Sequence, residues 1–201
     1  MSDAVIAGWA VLCVVMLVHR QLKSERLADR APGTWLGIVV QALGFSAIWM
    51  MRRGATVLPP AGAAWLGGIA NACGIVAIAL GILAIWTLGR QWSVAGRLLP
   101  DHSLIRHGPY AYLRHPIYTA MFGMLLATGL SMSSWLGIAS GVALFLVGTT
   151  IRVHFEEKLL RERFGVAFEE YAAAVPAFLP RRGARGRASG GQGSVELTGG
   201  Q

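Results

Sequence analysis

Two polar stretches in an otherwise apolar chain concentrate the side chains equipped for chemistry. The first runs His102-Ser103-Leu104-Ile105-Arg106-His107-Gly108-Pro109-Tyr110 and continues through Leu113-Arg114-His115-Pro116-Ile117-Tyr118; the second is Arg152-Val153-His154-Phe155-Glu156-Glu157. Together they offer imidazoles, phenols, guanidinium groups and two adjacent carboxylates, groups that bind polar ligands, meet anionic substrates and move protons. Arg152 and Glu156 stand at i and i+4, so on a helix they share one face, a cation beside an anion. The plainer role for such a pair is a local contact at a helix end, worth roughly 0.3 to 0.5 kcal/mol. His115 before Pro116 likewise fits a helix start, where proline is tolerated in the first turn. His107 and His154 read as surface residues, and no ligand pair such as His-x-x-x-His occurs, so no metal is expected.

About 40 residues separate the two stretches, and a helical hairpin would return them to one end of the molecule. The sequence supplies the helices. Of 201 residues, 54% are hydrophobic and only 14% charged, against about 25% charged in an average soluble domain. A bilayer-crossing helix needs about 20 apolar residues, and five runs approach that length: Ala4 to Val18, Gly33 to Met51, Ala61 to Leu88, Ile117 to Leu130 and Ser134 to Ile151. The fold class expected is all-α, a multi-pass transmembrane bundle of about five membrane helices followed by a C-terminal cytoplasmic amphipathic helix. That last helix runs from Arg152 to Ala174, with Gly165 as a break and Pro176 as a stop. The first run lacks a basic leader or small-x-small cleavage site and reads as a retained helix.

Positive charge gives a direction. With five spans and the C-terminus inside, 16 of the 18 basic residues fall on the cytoplasmic side, leaving only Arg52 and Arg53 outside. Lys and Arg exceed Asp and Glu by 18 to 10, but in short clusters between apolar runs, where anionic headgroups are the partner and nucleic acid is not. Small residues at Gly67, Ala70, Gly74, Ala77 and Gly81, and again at Gly137 and Gly141, mark faces where helices approach closely. Gln41 and Asn71 read as interhelical hydrogen-bond partners, Cys13 and Cys73 as small buried residues, and Tyr112 and Trp135 as interfacial anchors. The expected organisation is residues 1–60 as two N-terminal helices, 61–180 as the core bearing the site, and 181–201 as a disordered tail rich in Gly, Ser and Arg.

Gly108-Pro109-Tyr110, Arg114-His115-Pro116-x-Tyr118, Arg152-x-x-x-Glu156-Glu157, then Phe164-Gly165 with Tyr171 and Val175-Pro176, resemble the isoprenylcysteine carboxyl methyltransferases in order and spacing. Leu88-Gly89-Arg90-Gln91-Trp92-Ser93 and His102-x-Leu104 resemble bacterial members, and the likeness covers roughly residues 86 to 180. The resemblance implies a methyltransferase using S-adenosylmethionine on a lipophilic small molecule, related to the phosphatidylethanolamine N-methyltransferases; the charge distribution puts its site at the cytoplasmic interface, and the Ala-, Gly- and Arg-rich composition points to a bacterial inner membrane. The resemblance further implies a cofactor held by His102, Ser103, Leu104, Ile105, Tyr110, His115, Pro116, Ile117, Tyr118, Glu156 and Glu157, with Arg152 and Glu156 as catalytic residues, Arg152 meeting a substrate carboxylate. For an oxygen anion no strong base is needed, whereas an amine acceptor would make His115 or Glu157 the candidate base. Oxygen, nitrogen and sulfur acceptors all stay open, as does the oligomeric state. Two other readings compete: an NADPH-dependent sterol-reductase-like enzyme, from which the chain departs by carrying Ile117 where those proteins have Asn, and a non-catalytic membrane subunit on the same scaffold.

Overall fold

The computed structural model describes residues 5–10, 29–30, 33–52, 60–89, 97–98 and 103–179. Among these the regular elements are helices, apart from a two-residue antiparallel pair, β1 (Asp29–Arg30) with β2 (Arg97–Leu98). The helices are α1 (Thr34–Met50), α2 (Pro60–Leu88), α3 (Pro116–Met132), α4 (Trp135–Phe164) and α5 (Val166–Ala174), with a 3-10 turn at Gly108–Ala111 and a helical stretch at residues 5–10.

Two of these helices, α2 and α4, are long and apolar enough to cross a bilayer; α1 and α3 are apolar but shorter. Seventeen residues each give them ~25 Å at the helical rise, short of a ~30 Å hydrocarbon layer. Most of the expected first span, Ala4 to Val18, lies outside the described residues, as does the 181–201 tail. The long helices carry apolar side chains outward: Ile75, Val76, Leu83, Leu146 and Val147 are all exposed. Tryptophans mark both ends of that apolar surface. Trp35 and Trp86 are exposed at one end, and Trp49, Trp65 and Trp135 at the other. Along α2 the separation of Trp65 and Trp86 is ~32 Å at 1.5 Å per residue, the thickness of a hydrocarbon layer.

One boundary departs from expectation. The fifth apolar run was expected to end at Ile151, but α4 continues unbroken through Arg152 to Phe164. Charge ends the apolar run without ending the helix, because Glu, Lys, Leu and Arg are all good helix formers. The chain breaks only at Gly165, whose φ of 51° lies in the region glycine favours. Arg152 and Glu156 therefore extend rigidly from the same long apolar helix.

Pairing within the bundle follows small residues more than connectivity. Although α3 and α4 are joined by Ser133 and Ser134 alone, α4 packs chiefly on α1, and α3 on α2. On α1 the buried face is Thr34, Gly37, Gln41, Gly44 and Ile48. Opposite it, a Cβ on Gly148 would lie 2.7 Å from the Gly37 carbonyl oxygen, and one on Gly141 2.9 Å from that of Gly44. Backbones can come this close only without side chains between them. On α2 the buried stripe is Ala70, Gly74, Ala77, Gly81 and Ala84, with Ala77 against Gly123 of α3. Phe145 joins the two pairs through Ile48 and Leu125.

The far end of the bundle is closed by the Met51 carbonyl, which accepts from the Ser134 amide at 2.8 Å and the Ser133 hydroxyl at 3.1 Å. At the opposite end Gly33 meets Phe155 and Gly108 meets Thr87. Both polar stretches are gathered there.

Candidate functional site

Residues 103–107 are irregular, and the 3-10 turn that follows buries Tyr110. Pro116 then starts α3, with His115 at the position just before it. This loop is held by the returning C-terminal segment. The amides of Arg114 and His115 donate to the carbonyls of Pro176 and Ala177 at 2.9 and 3.0 Å. The Arg114 guanidinium caps the end of α5, donating to the Ala172 and Val175 carbonyls at 2.7 and 2.6 Å. Tyr171 donates its hydroxyl to the Tyr110 carbonyl at 2.7 Å. Burial pushes the Tyr171 phenol up to about 12 and raises that of Tyr110 as well, so both stay protonated in any physiological range. Beneath them Phe168, Tyr171 and Val175 form a small core against Leu104, Leu160 and Phe164.

The two neighbouring carboxylates of α4 face different company, because consecutive helical residues point about 100° apart. Glu157 turns inward. One of its oxygens lies 3.0 Å from Arg114 Nε and 3.0 Å from His115 Nε2, and the other accepts from Arg161 Nη2 at 3.1 Å. Its side chain is 9% exposed, against 18% for Glu156. Glu156 instead accepts a hydrogen bond from the Tyr118 hydroxyl and lies 3.8 Å from Arg152 Nη2. The Arg152 guanidinium sits over the Tyr118 ring, 4.8 Å from its centroid.

The loop carrying His115 and the helix carrying Glu156 therefore meet at one end of the bundle, through two pairings: Tyr118 with Glu156 and His115 with Glu157. Tyr110, His115, Pro116 and Tyr118 are buried around this junction, and Ile117 and Ile105 are half-buried. Leu104 is engaged with the α5 core, and Ser103 is exposed. His102 lies outside the described residues. His107 and His154 are exposed. Two residues do more than the sequence showed. Arg114 ties the loop, α4 and α5 together, and Gln41, read only as a generic interhelical partner, donates to Thr149 at 2.7 Å and accepts from Arg152 Nη1 at 2.9 Å. Nothing local marks either role, since every partner lies more than 40 positions away.

The loop, α3 and most of α4 fall within a recognisable segment. The model of the isoprenylcysteine carboxyl methyltransferase (ICMT) family matches residues 70–162. Over that segment the chain is similar to that family. Among relatives, the chain is 32% identical over 100 residues to a "Probable protein-S-isoprenylcysteine O-methyltransferase" of Oryza sativa subsp. indica, covering 49% of this chain and 52% of that protein. It is 30% identical over 121 residues to the cobalt-zinc-cadmium resistance protein CzcN of Cupriavidus metallidurans, covering 58% and 52%. To the protein-S-isoprenylcysteine O-methyltransferase of Schizosaccharomyces pombe it is 31% identical over 87 residues, covering 43% and 37%. The chain spans about half the length of the first two of these relatives or less of the third. The ICMT segment takes in most of α2, the loop, α3 and α4 through Glu162; α1 and its Gln41 stand outside it.

Proposed function

We propose that this protein is an S-adenosylmethionine-dependent methyltransferase that acts on a lipophilic acceptor, a carboxylate of an isoprenoid or lipid-like molecule, at the cytoplasmic face of a membrane. The observation that carries this reading is the junction of Tyr118, Glu156 and Arg152, where a partly open carboxylate and a guanidinium lie side by side. It is supported by the similarity to the ICMT family over residues 70–162 and by relatives whose names state an isoprenylcysteine O-methyltransferase.

The donor set suits the cofactor. A carboxylate such as Glu156 accepts hydrogen bonds from a ribose diol or an ammonium group, and aromatic faces such as Tyr118 attract a cationic sulfonium. When bound, S-adenosylmethionine supplies an electrophilic methyl group. The chain's own residues then orient and shield. Glu156 and Tyr118 hold the polar part of the cofactor, while Ile105, Pro116 and Ile117 exclude water around it. Arg152 receives the acceptor's carboxylate, which needs no base because it is already an anion. Glu157 and His115 belong to the same site by a different route. Their mutual contact, with Arg114, fixes the loop against α4, so that residues 103–105 and 116–117 line the cofactor. Membrane lipids surround the exposed faces of α2 and α4, so a lipophilic acceptor enters sideways from the bilayer and the polar cofactor from water.

Incubating the protein in lipid nanodiscs with a membrane lipid extract and methyl-labelled S-adenosylmethionine should transfer label into the organic phase, as base-labile ester. Label confined to water-soluble acceptors would overturn the lipophilic reading. Binding of NADPH without binding of S-adenosylmethionine would favour the reductase instead.

A further inference from the structure

Arg152 sits at the point where α4 passes from apolar to polar surroundings, and the group that orients it comes from outside the ICMT segment. Gln41 is 2% exposed in the middle of an otherwise apolar helix. A buried amide there is costly unless it is hydrogen-bonded, and Gln41 is bonded through both its nitrogen and its oxygen. Its Nε2 donates to Thr149 Oγ1 at 2.7 Å, and its Oε1 accepts from Arg152 Nη1 at 2.9 Å. A guanidinium can only donate, so the atom facing Arg152 must be the carbonyl oxygen. Thr149 and Arg152 lie three residues apart on α4, and one amide spans both.

Glycines make the reach possible. A Cβ on Gly148 would lie 2.8 Å from both the Gln41 Cγ and its backbone nitrogen, and one on Gly37 3.2 Å from the Arg152 nitrogen. Without side chains at these positions α1 lies close enough for the short Gln41 side chain to engage Arg152. The guanidinium is then located from three sides: Gln41 on α1, the Tyr118 ring on α3, and Glu156 one turn along α4.

We propose that Gln41 is a positioning residue that fixes the Arg152 guanidinium through a Thr149–Gln41–Arg152 relay, and so sets the site's preference for an acidic acceptor. This rests on the methyltransferase reading above. A guanidinium fixed in place is pre-positioned for an incoming carboxylate, whereas a mobile one must lose side-chain entropy each time an acceptor binds. The effect should fall on acceptor recognition and spare the cofactor.

The experiment compares the wild type with Gln41→Met, which keeps volume but loses the acceptor, and with Gln41→Glu, which keeps it. Each is measured in nanodiscs for methyl transfer to an N-acylated S-prenylcysteine, for S-adenosylhomocysteine affinity, and for the rate at which a guanidinium-directed dicarbonyl reagent labels Arg152, read by mass spectrometry. Gln41→Met should raise KM for the acid about tenfold with kcat changed less than about threefold, leave cofactor affinity unchanged, and speed Arg152 labelling several-fold. Gln41→Glu should keep labelling as slow as in the wild type. Wild-type KM and wild-type labelling in Gln41→Met would overturn the proposal. So would equal loss of cofactor affinity and acid recognition, which would mean general disruption. If the wild type methylates no acid, the methyltransferase reading fails on its own, and the labelling rates still decide whether Gln41 holds Arg152.

Discussion

Adjacent glutamates on one helix do different work here, and the difference is one of geometry. Glu157 is the hub of a network with Arg114, His115 and Arg161 that binds the loop before α3 to α4. Converting it to glutamine leaves the largely buried Arg114 guanidinium without its anion, a change that costs roughly 3 kcal/mol when a buried pair is broken. Glu157→Gln should therefore lower the thermal unfolding midpoint in nanodiscs markedly, with activity lost in proportion to folded protein; an unchanged midpoint would show that the network does not hold the loop. Sequence placed both glutamates among the cofactor-binding residues and Glu156 also beside Arg152 as catalytic, but did not show that Glu157 anchors the loop. The i, i+4 spacing was enough to place Arg152 beside Glu156, because that relation is local. It could not say that Arg114 reaches across 58 positions to Ala172, or Gln41 across 111 to Arg152, since no periodicity encodes a contact between distant segments.

The helices obey a packing logic that the chain order hides. Closely linked α3 and α4 each prefer a more distant partner, because the smooth glycine faces of α1 and α4 and the alanine face of α2 permit close backbone approach. The small-residue stripe on α2 was legible from spacing at Ala70, Gly74, Ala77 and Gly81, all buried, while Gly67 at its outer end has nothing within 4 Å. That contrast is measurable. Gly148→Ala would thrust a methyl group to 2.7 Å from the Gly37 carbonyl and should destabilise by roughly 1 to 3 kcal/mol through overpacking. Gly67→Ala should be neutral or slightly stabilising, as glycine in a helix interior is worse than alanine by about 1 kcal/mol. Equal unfolding midpoints for the two variants would argue against glycine-mediated contact between α1 and α4. Helix ends were less legible than helix cores. A charged residue ended the apolar pattern at Arg152 while helix propensity carried α4 on to Phe164, and only the glycine that follows stopped it.

At the scale of the molecule, apolar faces point outward, tryptophans ring both ends, and the polar residues collect at one of them. The apolar runs and the basic clusters between them are one-dimensional signals that the sequence displays directly. Orientation follows from them as a prediction. In a background lacking Cys13 and Cys73, Arg52→Cys at the far end should react with a membrane-impermeant maleimide in intact cells, whereas Glu170→Cys on α5 should react only after permeabilisation. The reverse pattern would invert the topology and place the site on the outer face. The site itself depends on both ends of the chain's described part: α1 orients Arg152 from the N-terminal side, and residues 175–178 brace the loop from the C-terminal side. The central claim is narrower than the whole architecture, since it concerns one carboxylate. Calorimetric titration of S-adenosylhomocysteine into the nanodisc-embedded protein and its Glu156→Gln variant tests it most directly. Binding to the wild type, weakened by about tenfold or more in the variant with its unfolding midpoint preserved, is the result predicted; equal affinity in the two proteins, or no binding to either, would contradict it.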